Sequence, residues 1–356
     1  MTFGTTPAET TTDTTTDAAV QAAPQSTPAI TTSSLTRRFR EFCAVDHLSM
    51  SVPRGEIYGF LGPNGAGKTT TLKMLAGLLS PTSGTATVAG ELVRPGEASL
   101  ELRRRVGFLA EEPAFYPWMT ANEALVFVTR LHGSSAARAK ARAAELLHTV
   151  GLADRATDRI RSFSRGMKQR LGIALALAGE PDVLLLDEPA SALDPQGRKE
   201  VLALIGRLRG RATILMSSHV LEDVQRVCSW VGILNQGQLV VESSLHHLLQ
   251  RYAGPAFRLE VAADPALVRE TLRAQPWVHQ VTDEAGGFRI LASDPAAAQS
   301  EITSVLAQLR APLLEFSMVL PSLEDVFLRL VSDPSVASGR VFPPSSPEPP
   351  ADRPAS

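Results

Sequence analysis

The sequence predicts an α/β domain built on a largely parallel sheet, followed by a small α+β domain. Short β-rich runs alternate with helical patterns from residue 31 to about 250, and a Gly-rich loop sits between one such run and one such helix. After about Gly254 the pattern changes. The clearest strands are Ile57 to Leu61, Val106 to Leu109, Val183 to Leu186 and Thr213 to Ser217. Helical periodicity follows Lys68, where Leu72, Leu75 and Leu79 recur at spacings of three and four, and returns from Arg165 through Ala178. Thr120 to Arg170 is mostly helical and reads as an insertion, a helical subdomain at about 115–175.

The second domain is expected over 255–332. Phe257 to Val261 reads as a strand, Pro265 to Ala274 as a helix, and Val278 to Thr282 with Phe288 to Leu291 as a strand pair around Gly286-Gly287. A helix from Ala296 to Leu309 and a strand from Leu313 to Met318 complete a β-α-β-β-α-β order, the order of a ferredoxin-like plait. Ser322-Leu323-Glu324-Asp325 offers a capping box for a last helix with Val326, Leu328 and Leu330 or Val331 on its apolar face. Residues 1–30, rich in Thr and Ala, and 334–356, rich in Pro, cannot bury a core and are expected to be disordered.

Composition narrows the function classes. The formal net charge of -2 gives no polyanion footprint, so nucleic acid is not an expected partner. Cys43 and Cys228 make no metal-binding spacing and read as buried reduced thiols. No stretch approaches the ~18 residues of uninterrupted apolar sequence that a spanning helix needs, and the first thirty residues lack the charged start of a secretory signal. The expected location is the cytosol.

Gly62-Pro63-Asn64-Gly65-Ala66-Gly67-Lys68-Thr69-Thr70 matches the pattern G-x-x-x-x-G-K-[ST], after an apolar strand and before an amphipathic helix. Glycines let successive N–H groups turn toward one point, and the helix N-terminus adds positive potential, so phosphate oxygens bind there. Lys68 is placed to hold the β and γ phosphates, and Thr69 to offer its hydroxyl to Mg2+. A second acidic motif, Val183 to Glu188, ends a buried-strand run in two adjacent carboxylates, which side-chain alternation would send to opposite faces. Asp187 would hold Mg2+ through its water shell, and Glu188 would act as general base on the attacking water. No Asn-Lys-x-Asp motif for reading guanine is present, which favours ATP.

Three further stretches carry a family resemblance. Phe163-Ser164-Arg165-Gly166-Met167-Lys168-Gln169-Arg170 resembles the signature motif of ABC ATPases. Ser191-Ala192-Leu193-Asp194 resembles their D-loop, and His219 their switch histidine. Over roughly residues 33 to 250 the sequence is therefore similar to the P-loop NTPase domain of ABC transporters, and the resemblance implies an ATPase that drives a separate integral-membrane permease from the inner face of the membrane. It implies that two such domains, alike or different, close face to face on ATP. Ser164 and the N–H of Gly166 would then touch the γ phosphate bound by the partner, with Asp194 at the same interface. It also implies that Phe39 stacks on adenine, that Glu111, where the family has glutamine, approaches the metal, and that His219 reads the γ phosphate. Arg165 and Met167 depart from the usual glycine and glutamine, which puts signature-side affinity in question. Glu111, the Tyr116-Pro117-Trp118-Met119-Thr120 stretch and Ser322 to Phe327 are similar to the export-type ABC-2 class. A soluble ABC ATPase acting on ribosomes or DNA is the competing function, and it usually requires fused ATPase domains or long coiled coils that this chain lacks. A nonhydrolysing regulator is disfavoured by the presence of Lys68, Asp187 and Glu188.

Overall fold

A computed structural model describes residues 27–93, 100–191, 193–252, 256–284, 286–319 and 322–326. The two low-complexity ends, and the last helix beyond Val326, lie outside the described residues.

The chain opens with an antiparallel hairpin, β1 (Ile30–Phe39) and β2 (Phe42–Val52), that leads to β3 (Ile57–Leu61), the Gly-rich loop and α1 (Lys68–Leu75). Next come β4 (Ser83–Val88), β5 (Glu91–Val93), α2 (Leu100–Arg105) and β6 (Val106–Leu109). Three helices, α3 (Ala121–Leu131), α4 (Ala136–Thr149) and α5 (Arg165–Ala176), form the insertion before β7 (Val183–Leu186). The segment closes with α6 (Pro195–Arg207), β8 (Thr213–Ser218), α7 (Leu221–Val227), β9 (Trp230–Asn235), β10 (Gln238–Ser244) and α8 (Leu245–Tyr252).

The central sheet runs β10-β9-β3-β8-β7-β6, parallel except for β10. Every residue of β3 and β7 is buried, as expected of parallel strands covered on both faces. A second sheet, β2-β1-β4-β5, is wholly antiparallel. The sequence reading did not separate it from the parallel sheet. Two helices are shorter than their periodicity suggests. The first stops at Leu75, with Leu79 beyond a Gly77 turn at φ +68°, and α5 stops at Ala176. Cys228 is buried as expected, but Cys43 is only half-buried, because the end of the β1–β2 hairpin projects from the sheet.

The C-terminal domain contains β11 (Ala256–Val261), α9 (Pro265–Arg273), β12 (Val278–Glu284), β13 (Gly287–Ala292), α10 (Pro295–Gln308) and β14 (Leu313–Val319). Its sheet order, β12-β13-β11-β14 with all pairs antiparallel, is that of the ferredoxin-like plait the pattern predicts. Asp264 and Asp294 cap its two helices, each of which starts with proline at the first turn. Phe257 stacks on Phe316 at 5.1 Å within its own core.

The chain then returns to the first domain. The capping box forms, with Asp325 N donating to Ser322 Oγ and Ser322 N donating to Asp325 Oδ2. Leu323 and Val326, both fully buried, join the core cluster that contains Val224, Val227 and Leu248. Burying such side chains contributes ~1.5–3 kcal/mol each. Leu323 N donates to Gln225 Oε1 on α7, and Arg289 of the plait makes a two-pronged bond to Asp325, at 2.9 and 2.7 Å.

Candidate nucleotide site

The phosphate loop begins where β3 ends, and its backbone requires glycine at two points. A Cβ on Gly62 would lie 2.5 Å from the Leu234 carbonyl oxygen. One on Gly67, which has φ +101°, would lie 2.4 Å from that of Ala44. Gly67 caps the start of α1, so that helix's N-terminal N–H groups open onto the loop. The loop walls a cavity of about 350 Å³ lined by Asn64 through Thr70, with Glu111, Glu188 and His219 opposite and Phe42 and Ala44 at its edge.

Inside this frame the polar groups converge. Lys68, 6% exposed, donates through Nζ to the carbonyls of Gly62 (2.7 Å) and Pro63 (3.2 Å) and stands 3.3 Å from Glu188 Oε1. Thr69 Oγ1 donates to Asp187 Oδ1 at 2.9 Å, and Ser217 Oγ donates to the same oxygen at 2.8 Å. Ser217, at the end of β8, also accepts from Glu188 N at 2.8 Å, so one buried hydroxyl fixes both acidic residues. The other Glu188 oxygen meets His219 Nδ1 at 2.9 Å.

The two carboxylates do not separate by strand alternation. β7 ends at Leu186, so both follow the strand, and Glu188 takes a left-handed turn with φ +45°. For a non-glycine residue that backbone is strained, a cost met at sites where the surrounding structure holds a side chain in place. The turn brings Glu188 back over the same cavity that Asp187 flanks, and their roles differ by partner: Asp187 faces hydroxyls, whereas Glu188 faces a lysine and a histidine.

The structure also sorts the remaining expected residues. Gly62 and Pro63 act through their carbonyls on Lys68, and Glu111 is exposed at the cavity wall. Phe39 does not line the cavity. Arg37 covers one face of its ring at 4.5 Å, and its cross-hairpin partner Phe42 lines the wall instead. Phe39 and Phe42 are directly paired across the hairpin and project on the same side of it, so their places in the hairpin, not side-chain alternation, set which of them reaches the cavity. Ser164, Gly166 and Asp194 stand outside the cavity as well. Ser164 caps α5, accepting from Met167 N at 3.2 Å, and a Cβ at Gly166 would meet nothing closer than Gly197 Cα at 3.9 Å. Asp194 precedes α6 and is exposed. Arg165 ion-pairs with Glu112 at 3.6 Å, both at the surface. Sequence reasoning passed over Ser217 and Phe42 as site residues. The only signal for Ser217 was its place just before His219.

Comparisons with known proteins give the family and the fold. The ABC transporter family matches residues 45–191, and the C-terminal domain of DrrA1-3-like ATP-binding proteins matches residues 244–331. An uncharacterized ABC transporter ATP-binding protein of Bacillus subtilis, YxlF, is 40% identical over 85% of this chain and 99% of its own length. The bacitracin transport ATP-binding protein BcrA of Bacillus licheniformis is 37% identical over 85% of this chain and 97% of its own. Among solved structures, the post-hydrolysis dimer of an ATP-binding cassette bound to ADP and Pi superposes with a TM-score of 0.55 at 25% identity, covering 61% of this chain and 98% of that one. With a P-loop whose lysine meets a glutamate that also meets a histidine, and with relatives matched along nearly their whole length, the chain belongs to the ABC transporter family as an ATP-binding and ATP-hydrolysing subunit.

Proposed function

We propose that Glu188 is the general base of ATP hydrolysis and that His219 orients it, the reading carried by the convergence of Lys68, Glu188 and His219 on one cavity. Lys68 lies against Glu188, so γ-phosphate oxygens that draw its ammonium away also free the carboxylate to polarise water. The loop N–H groups and the start of α1 hold the phosphates. Thr69 and Asp187 suit Mg2+. Among the described residues no group of three or more His, Cys, Asp or Glu side chains forms a metal cage, and a hydroxyl with one carboxylate leaves room for waters and phosphate oxygens, the coordination Mg2+ favours. When bound, the ion neutralises charge that develops on the phosphates. Glu111 adds an oxygen at the cavity wall.

Ser164 and Asp194, both exposed, and the half-buried Gly166, all outside their own chain's cavity, are assigned to the nucleotide of a second ATPase domain, as the ADP- and Pi-bound dimeric relative suggests. The ATPase unit is placed at 31–250, with its helical subdomain at about 115–175, and the accessory plait at 255–332. Among the described residues no helix is long and apolar enough to cross a membrane. The relatives named as transporter ATP-binding proteins favour delivery of the work to a separate permease at the membrane's inner face. Exposed Tyr116 and Trp118, ring centroids 5.1 Å apart beside the helical insertion, supply an apolar surface of the kind such a contact uses. A Nod factor export ATP-binding protein of Burkholderia orbicola, 37% identical over 83% of this chain and 95% of its own length, favours export as the direction.

The test is affinity purification of the tagged Glu188→Gln chain from detergent-solubilised cells with Mg-ATP. Recovery of a multi-spanning membrane protein is expected. Recovery of ribosomal or DNA-repair components without one would overturn the transporter reading.

A further inference from the structure

α7 begins two residues after His219 and is held from three sides. It rests on β3 at Gly59, where a Cβ would come within 2.3 Å of Val224 Cγ1, so the glycine permits the close approach. Gln225 accepts from the returning Leu323. On the third side, Asp223, 5% exposed, accepts from Arg198 Nε at 2.7 Å. Arg198 lies in the first turns of α6, four residues after Asp194, and Asp223 lies four residues after His219. A single charge-assisted bond therefore ties the helix behind the Asp194 loop to the helix behind the switch histidine.

We infer that Arg198 and Asp223 are positioning residues for hydrolysis, a strut that sets His219 against Glu188 according to where the Asp194 loop stands. The inference rests on the reading that this loop meets a second ATPase domain. A buried carboxylate is costly unless paired, so α7 cannot shift away from α6 without stranding Asp223. Burial already pushes the Asp223 carboxyl up, while the Arg198 hydrogen bond and charge pull it down and the charges of Glu222 and Glu188 push it further up. Arg198 engages Asp223 through Nε, and its Nη2 is buried without a hydrogen-bond partner among the described residues. A guanidinium that makes one bond where its fork can make two leaves the strut room to tighten as α6 moves. That movement reaches His219, whose side chain projects from the segment joining β8 to α7 and ends on Glu188 at 2.9 Å.

The experiment measures kcat, ATP KM and thermal midpoint for the full chain carrying Arg198→Ala, Arg198→Lys or Asp223→Asn. ATP-driven dimerisation is followed by light scattering for the same changes in a Glu188→Gln background. Expected are a ten- to thirtyfold fall in kcat for Arg198→Ala and Asp223→Asn, with KM and dimerisation within threefold, and recovery of at least half of that loss by Arg198→Lys. The inference is overturned by kcat within twofold of the parent in both. It is equally overturned by a kcat loss that tracks the thermal midpoint or KM and that lysine does not repair, since a purely structural tie behaves that way. If Glu188→Gln alone forms no ATP-dependent dimer, the two-domain reading fails, and with it the signal the strut was inferred to carry, even where the kcat loss remains.

Discussion

Two buried carboxylates in this molecule look alike by exposure and differ in everything that matters for function. Glu188 is 7% exposed and Glu242 is 4% exposed. Glu188 faces a cationic Lys68, a histidine and an open cavity. Glu242, on β10, accepts hydrogen bonds from Ser51 N at 2.8 Å and Tyr58 Oη at 3.0 Å, pinning the antiparallel sheet to the parallel one. Burial, only partly offset by these two neutral donors, pushes the Glu242 carboxyl up to about 7. Burial of an acid is thus no sign of chemistry by itself. Convergence of a cation, a proton-handling neighbour and room for a substrate is the better sign.

Replacing Glu188 with Gln makes the largest difference between the two. Steady-state ATPase should fall by roughly 10^2 to 10^4 for a lost general base. An unchanged rate would remove Glu188 from that role and collapse the contrast. A third buried acid, Asp325, extends it to a purely structural pair. Arg289→Ala leaves Asp325, 2% exposed, without its guanidinium, at a cost of about 3–5 kcal/mol for breaking a buried pair. Hydrogen exchange should show that loss around α7 and the plait, and protection equal to the parent would mean the pair holds nothing in place.

Glu242→Gln should act in the opposite sense and through pH. The folded state keeps a proton on Glu242 between its ordinary 4.5 and about 7, where the unfolded chain has lost it. Stability therefore falls as pH rises through that interval and then levels off. Glutamine keeps an acceptor oxygen but no charge, so the variant should gain on the order of 3 kcal/mol over the parent at pH 8 and little at pH 5. ATPase at pH 8 should stay within twofold, and an equal midpoint difference at both pH values would show that Glu242 does not titrate. The smallest effect separates the two hairpin aromatics. Phe42→Ala should weaken ATP binding about tenfold, the scale of a lost base-stacking contact of ~1–3 kcal/mol, and Phe39→Ala much less. The reverse ranking would return the adenine platform to Phe39.

How far these residues were legible in the sequence follows from how local their physics is. Gly62 to Thr70, the β7 run and the plait's strand order declare themselves within short windows, since phosphate geometry and side-chain period are local. The β2-β1-β4-β5 sheet was not legible, because bulged antiparallel pairing blurs the period-2 signal and Ser34, Arg40 and His47 turn with positive φ. The mutual position of Asp187 and Glu188 was misread for a related reason: one left-handed backbone angle at Glu188 outweighs the strand pattern before it. Ser217, Asp223 and Glu242 act through partners from 25 to 191 positions away, namely Asp187, Arg198 and Ser51, and no short window spans those distances.

The return of Leu323 and Val326 into the first domain's core has a consequence for how the protein is made. Synthesis delivers the ATPase segment first, but part of its interior is encoded after the plait. At roughly 5–20 residues per second, the ribosome leaves that interior open for several seconds after α8 has emerged. Nascent chains stalled just before Ser322 should be cut near α7 by protease far faster than chains stalled well past Val326. The birth order of the segments thereby ensures that no ATPase domain is fully closed before its accessory domain exists.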